Sequence, residues 1–312
     1  MRSISSLSLA AIAFLPFGPV SAQEQSEDSD YREILPRGEP RPSLEEYLAQ
    51  GGKVPEPKSP QSAAPTQSEA PPTQTSEVPS VLAIFAHPDD EIMFAPVLSR
   101  IAREGGEVTL VYATSGDAGP GVSGMEPGDE LGDLRQAEAE CAAKALKLGS
   151  PIFWKLGDGK LSDFARGDQS LGPTLARRIG EVIAEKNPQV IMTWGPDGGY
   201  GHSDHRMVSA AATQVVQTLG IERPELLYSV IPDGSRPQIA AFDSWSTVHP
   251  SLVTDRIRYM PLDLYNAREA MDCHKSQFGA EAREGLPDLL HNTVWRGTVF
   301  FRLAFPEPVE PE

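Results

Sequence analysis

Five short apolar runs recur through the middle of the chain, at 81–85, 107–114, 151–156, 189–194 and 226–231, and between them apolar residues return at helical spacing. Runs this short and this evenly apolar read as strands buried on both faces, and the stretches between them read as helices over 92–104, 130–148, 171–186 and 204–219. Gly105-Gly106 and Gly149 stand where the first two of those helices should stop. Strand and helix in alternation predict an α/β fold: a Rossmann-like open, mostly parallel sheet with helices on both faces and right-handed crossovers. The common strand order 3-2-1-4-5 would set the exits of the first and fourth strands side by side at the switch point. The Gly-rich stretch 115–129 is too long for a plain connector and is a candidate site wall. Past 232 the alternation ends, and a helix over 262–278 and a β-like pair within 293–305 are expected.

The pattern differs before position 80. Arg2 precedes an apolar run over 7–17, and Val20-Ser21-Ala22 supplies small residues behind it, the layout of a cleaved secretory leader over 1–22. That run is shorter than the ~20 residues of a membrane span and contains Pro16, so export to the periplasm or the medium is expected, with no stable membrane span. Residues 23–79 are rich in Pro, Ser, Gln, Glu and Thr and lack the apolar content to fold alone, apart from one short helix expected at 43–50. The folded domain should therefore occupy 80–312. With 39% apolar residues it can bury a sizeable core, and a net charge of −17 argues against nucleic acid or an anionic membrane surface as partner. A small or neutral substrate fits better. The two cysteines, Cys141 and Cys273, fall on helices far apart in sequence, and nothing in the sequence sets their distance, so a disulfide between them is not expected.

Two polar clusters interrupt the apolar pattern, and both fall at strand exits. The first is Ala86-His87-Pro88-Asp89-Asp90-Glu91; the second lies within 195–205, GPDGGYGHSDH. One Asp there could be an ordinary helix cap. Three consecutive carboxylates repel one another, and only a cation or a proton-transfer task gives a reason to hold them together. His87, Asp89, Asp90, Glu91, His202, Asp204 and His205 offer two imidazoles and a carboxylate for a divalent transition metal with open positions, Zn²⁺ or alternatively Fe²⁺ or another such ion. Neighbours Asp89 and Asp90 cannot both point inward the same way, so one can ligate while the other takes a proton from water that the metal has brought towards pKa ~7. His202 and His205 open a helix whose N-terminal dipole favours developing negative charge. Together these parts describe hydrolysis through a tetrahedral oxyanion. The facial triad of non-haem Fe(II) oxygenases uses the same residue types, and only the strand–helix alternation, a fold analogy, argues against it. His249 and His291 stand alone and read as structural.

AHPDDE after a first strand and GxxGHxDH after a fourth, here 198–205, resemble the LmbE/PIG-L family of zinc-dependent N-deacetylases over about 81–277. By that similarity His87, Asp90 and His205 would be the metal ligands and Asp89 the general base. His202, oriented by Asp204, would stabilise the oxyanion or act as acid, and Tyr200 would assist at the carbonyl. Arg135 and Glu138 resemble the family's Arg/Glu helix, Asp158 its acceptor for a sugar hydroxyl, and His274 and Gln277 its HxSQ segment; all five would bind substrate. Ser203 stands where many relatives have Pro, and both residues suit a helix start. The resemblance implies removal of an acetyl group from a small N-acetylglucosamine-type conjugate. Two alternatives stand beside it, an amidase acting on a larger acyl-amide conjugate and a non-catalytic exported protein that binds sugar or metal.

Overall fold

The computed structural model describes residues 78–163 and 168–306. The expected leader, nearly all of the tract behind it and the helix expected at 43–50 lie outside the described residues. Among the described residues seven strands form one sheet in the order β3-β2-β1-β4-β5-β7-β6. β1 (Val81–Phe85), β2 (Val108–Tyr112), β3 (Ile152–Phe153), β4 (Val190–Trp194) and β5 (Glu225–Ser229) run parallel, in the expected 3-2-1-4-5 order. β6 (Asp255–Arg258) and β7 (Thr298–Leu303) extend the sheet antiparallel beyond β5.

The side chains of β1 explain why its sequence shows no polar alternation. Val81, Ala83 and Phe85 enter one core, shared with α1 (Ala95–Arg103), α2 (Asp129–Ala145), α5 (Pro261–Cys273) and α6 (Ala280–Leu290). Leu82, Ile84 and Ala86 enter a second core on the opposite face, shared with α3 (Gly172–Lys186) and α4 (Ser203–Val216). Every β1 residue is buried, so the strand can be apolar throughout. β1 and β4 are parallel neighbours, with Val81 opposite Val190, and the chain leaves the sheet at Ala86 and Gly195 on the same edge. That is the switch point, where a doubly wound sheet opens a crevice.

Several expected elements take a different form. The helix expected over 92–104 opens as a 3-10 turn, Asp90–Met93, and becomes α-helical only from Ala95. The helix expected over 262–278 stops at Cys273, and His274 leaves helical geometry with ψ 59°. Instead of a β-like pair within 293–305 there is one strand, β7, because His291–Trp295 winds as a π-helical turn; its antiparallel partner is β6, far earlier in the chain. The cysteines correct a further expectation. α2 and α5 pack side by side, and Cys141 and Cys273 form a disulfide with Cα atoms 5.8 Å apart. Separation in sequence is irrelevant once two helices share one face of the sheet. Among the described residues no helix is long and apolar enough to cross a membrane.

Candidate functional site

Both polar clusters meet at the switch point. Behind β1 the chain turns through Asp89, whose φ of 104° lies in the left-handed region that few residues other than glycine occupy. The turn sends the two neighbouring carboxylates to different tasks. Asp90 Oδ2 accepts the backbone N–H groups of Ala86 (3.0 Å) and His87 (2.9 Å), which leaves Oδ1 to face His205 Nε2 at 2.9 Å. Asp89 Oδ2 lies 3.3 Å from Arg135 Nη2, at the edge of the site. Behind β4 the loop to α4 is compact: a side chain on Gly199 would strike the Trp194 ring at 2.9 Å, so glycine is required there.

His205 is fully buried, stacked on Trp194 with centroids 5.0 Å apart and planes 3° from parallel. Its Nδ1 donates to Gly198 O (3.1 Å), which turns Nε2 into the site, 3.2 Å from His87 Nδ1. On the far side of that ring, His87 Nε2 faces two carboxylates, Asp158 Oδ1 at 3.0 Å and Asp204 Oδ2 at 3.4 Å. Burial alone would lower the His87 pKa, but Asp158, Asp204 and Asp90 outweigh it and raise the value to about 10. Burial likewise opposes ionisation of Asp90, yet His205 and His87 hold its carboxyl well below the usual range. Asp89 goes the other way: burial pushes it up to about 6 against the pull of the Arg135 guanidinium.

Do these residues fit a metal ion? Two ring nitrogens 3.2 Å apart, with a carboxylate oxygen 2.9 Å from one of them, match donors that each stand ~2.0–2.1 Å from one shared cation. The outward nitrogen of each ring faces a carbonyl or carboxylate, the outer-shell arrangement that orients metal-ligating imidazoles. The field is suited to positive charge, as the raised His87 pKa shows. His87, His202 and His205 also bring ring nitrogens within 4.8 Å of one another, as His87, Asp158 and Asp204 do with theirs. His202 is the poorer ligand of the three histidines, because its Nδ1 accepts the Asp204 N–H (3.2 Å) and its Nε2 therefore carries a proton. Burial and the neighbouring His87 and His205 lower the His202 pKa, so the ring is a neutral donor.

The orientation of His202 departs from expectation. It is held by the backbone of Asp204, as the N-cap of α4, while the Asp204 carboxylate turns to His87 and accepts the Gly159 N–H (2.8 Å). Tyr200 stands at the mouth, 38% exposed, its ring 5.2 Å from that of His205. Burial and the Asp90 and Asp89 carboxylates push its phenol well above the ordinary value.

The residues expected to bind substrate are spent largely on the protein itself. Arg135 is buried and donates to Pro88 O (2.7 Å), Gly116 O (2.9 Å) and Gly119 O (3.2 Å), stapling the 115–129 loop to the Asp89 turn; a Cβ on Gly116 would collide with the guanidinium at 2.3 Å. Glu138 accepts both the Ser276 N–H (2.7 Å) and its hydroxyl (2.6 Å). Asp158 accepts the Ala118 N–H (3.2 Å) besides facing His87. Gln277 donates to Gly119 O (3.0 Å). His274 is fully buried, with Nε2 2.5 Å from Glu91 Oε1. Burial works against charge on either partner, but each stabilises the other's ion: the His274 pKa is raised and that of Glu91 lowered. His249 and His291 are structural, bonded to Ser251 Oγ (2.7 Å) and the Tyr259 hydroxyl (2.6 Å).

Two further participants carry no sequence signal. Trp194 ends an apolar strand and looks like any core residue until it stacks on His205. Trp245, from the irregular segment after β5, packs its ring 5.1 Å from Tyr200, and Ser246 N–H donates to Gly199 O (2.8 Å).

Residues 82–216 match the family described as PIG-L: GlcNAc-PI de-N-acetylase. A 1D-myo-inositol 2-acetamido-2-deoxy-alpha-D-glucopyranoside deacetylase of Rhodococcus jostii is 31% identical over 199 residues, covering 57% of this chain and 64% of that protein. A second deacetylase of that name, from Catenulispora acidiphila, is 34% identical over 165 residues, covering 46% and 53%. The matched stretches thus span little more than half to under two thirds of these relatives. Among solved structures, the N,N'-diacetylchitobiose deacetylase of Pyrococcus horikoshii superposes with a TM-score of 0.55 at 17% identity, over 72% of this chain and 83% of that one. The 4-carboxy-2-hydroxymuconate hydratase GalB of Pseudomonas putida superposes with 0.52 at 15% identity, over 75% and 99%. At such identities the likeness shows the fold alone, and one fold carries two chemistries. The motif pair and the sequence match agree where the fold is silent: over residues 82–216 this chain is similar to the PIG-L family.

Proposed function

We propose that the protein is a metal-dependent hydrolase that removes the N-acetyl group from an N-acetylglucosamine-type amino-sugar conjugate. The observation that carries this reading is that His205 Nε2 meets both His87 Nδ1 (3.2 Å) and Asp90 Oδ1 (2.9 Å), with a second carboxylate, Asp89, on the residue before Asp90. His87, Asp90 and His205 would hold a divalent cation, zinc or a similar ion, which would supply Lewis acidity towards a carbonyl and water. Asp89, whose carboxyl burial pushes up to about 6, takes the proton of the attacking water, since a base with a pKa near working pH transfers protons efficiently. His202 donates Nε2–H to the oxyanion that develops on the amide carbonyl, and Tyr200 closes the same side. Asp158 and Asp204 hold the His87 ring and its tautomer. The sequence relatives named as deacetylases of a glucosamine–inositol conjugate support an amino sugar as substrate.

The hydratase sharing this fold makes water addition to a carbon–carbon double bond the second reading. A panel of N-acetylglucosamine conjugates, acyl-amide controls and enol or unsaturated acids separates the readings when acetate, amine and water addition are measured together. Equal acetate and amine from a sugar is the expected result. Amine without acetate indicates an amidase, addition to the acid a hydratase, and silence with metal bound a binding protein. Export of the mature chain, proposed from residues 1–22, predicts an N-terminus at Gln23 on protein recovered from cells; an intact Met1 would refute it.

A further inference from the structure

Glu91 is fully buried beside the site, yet the chemistry above gives it no task. Its Oε2 accepts the backbone N–H of Asp89 (3.0 Å) and the hydroxyl of Tyr112 (2.7 Å), and its Oε1 faces His274 Nε2 at 2.5 Å. The N–H of Asp89 belongs to the same peptide unit as the carbonyl of Pro88, which Arg135 Nη2 holds at 2.7 Å. One peptide plane is therefore gripped at both ends, its oxygen by a guanidinium and its N–H by a carboxylate. The plane in question precedes the residue with φ of 104°, a conformation that persists only where the surroundings enforce it. That plane carries the backbone from which the Asp89 side chain projects, so its orientation helps set where the carboxylate lies.

Both grips have one foundation. Arg135 and Cys141 lie on α2; His274 follows Cys273 at the end of α5; and the disulfide joins the two helices. We propose that Glu91 is a positioning residue for Asp89, fixed in that role by His274 and Tyr112. It need not touch substrate or metal. The inference rests on the reading of Asp89 as proton acceptor.

The test compares His274→Gln with the wild-type full chain, loaded with Zn²⁺. If the proposal holds, the amide of Asp89 exchanges with solvent about tenfold or more faster, while metal content per chain is unchanged. On the acetylated sugar, kcat falls roughly tenfold with KM within about twofold, and most of that loss disappears in the Asp89→Asn background, where there is no base left to position. Tyr112→Phe removes a single hydroxyl from the same carboxylate and should act in the same direction, so a His274 variant that fails to fold does not stall the test. Unchanged exchange at Asp89 in both variants overturns the proposal, and so does a kinetic loss fully additive with Asp89→Asn. A metal-loaded wild type that releases no acetate overturns the deacetylase reading instead, and amide exchange then decides the role of Glu91 alone.

Discussion

Asp89 and Asp90 are adjacent in the chain and opposite in environment. Asp90 is held ionised between two imidazoles, while Asp89 sits where burial makes its proton hard to lose. Exchanging either for the amide therefore has separable consequences. Asp89→Asn should keep about one metal ion per chain and lose roughly 10²–10⁴ in kcat. Asp90→Asn should lose the metal itself, since its Oδ1 is the oxygen facing His205. Metal analysis beside steady-state kinetics reads both; retention by Asp90→Asn with loss by Asp89→Asn would exchange the roles. The motif residues were legible because carboxylates and imidazoles crowded at a strand exit have few structural uses. Arg135, Glu138 and His274 were legible as noteworthy but not in their surroundings: a buried polar side chain serves a substrate or another stretch of backbone equally well, and only the fold reveals which.

Among the elements, the five parallel strands and the helices between them could be read because burial on both faces leaves unbroken apolar runs. Of the antiparallel addition, β7 falls within the β structure expected over 293–305, but its partner β6 could not be read. β6 is DRIR, an edge strand with one apolar residue, and charges of that kind protect an open sheet edge while erasing its strand pattern. α6 carries Pro287 in its interior, which in sequence reads as a break. The irregular segment between β5 and β6 matters most for the site, since it delivers Trp245 against Tyr200 and Trp194 and fixes itself through Arg236, which donates to Asp243 O (3.1 Å) and Trp245 O (3.0 Å). An aromatic contact of this kind contributes about 0.5–1.5 kcal/mol, so Trp245→Ala should lower kcat/KM some 2- to 10-fold and Trp245→Phe should restore most of it. Metal content should not change. A loss of metal in Trp245→Ala would mean that the segment supports His205 rather than Tyr200.

For the molecule as a whole, the sheet order decides that two motifs more than a hundred residues apart share one crevice, and the sequence conveys that order only through the convention of doubly wound sheets. The disulfide lay beyond such conventions, because helix neighbours are set by how α5 packs against α1 and α2 on one face of the sheet. Reduction should lower unfolding free energy by about 2–4 kcal/mol, measured by denaturant titration with and without dithiothreitol; an unchanged midpoint would show that the bond adds nothing to the packing of α2 on α5. The same bond has a consequence for the chain's continuity. It joins residues 132 positions apart, on either side of the turn between α4 and β5, where Ile221 is 97% exposed and open to a protease. A cut there leaves both halves tethered, so nicked protein should migrate as one species on a non-reducing gel and as two fragments after reduction. Preparations judged intact on a non-reducing gel can thus be clipped, and their homogeneity has to be assessed with thiol present.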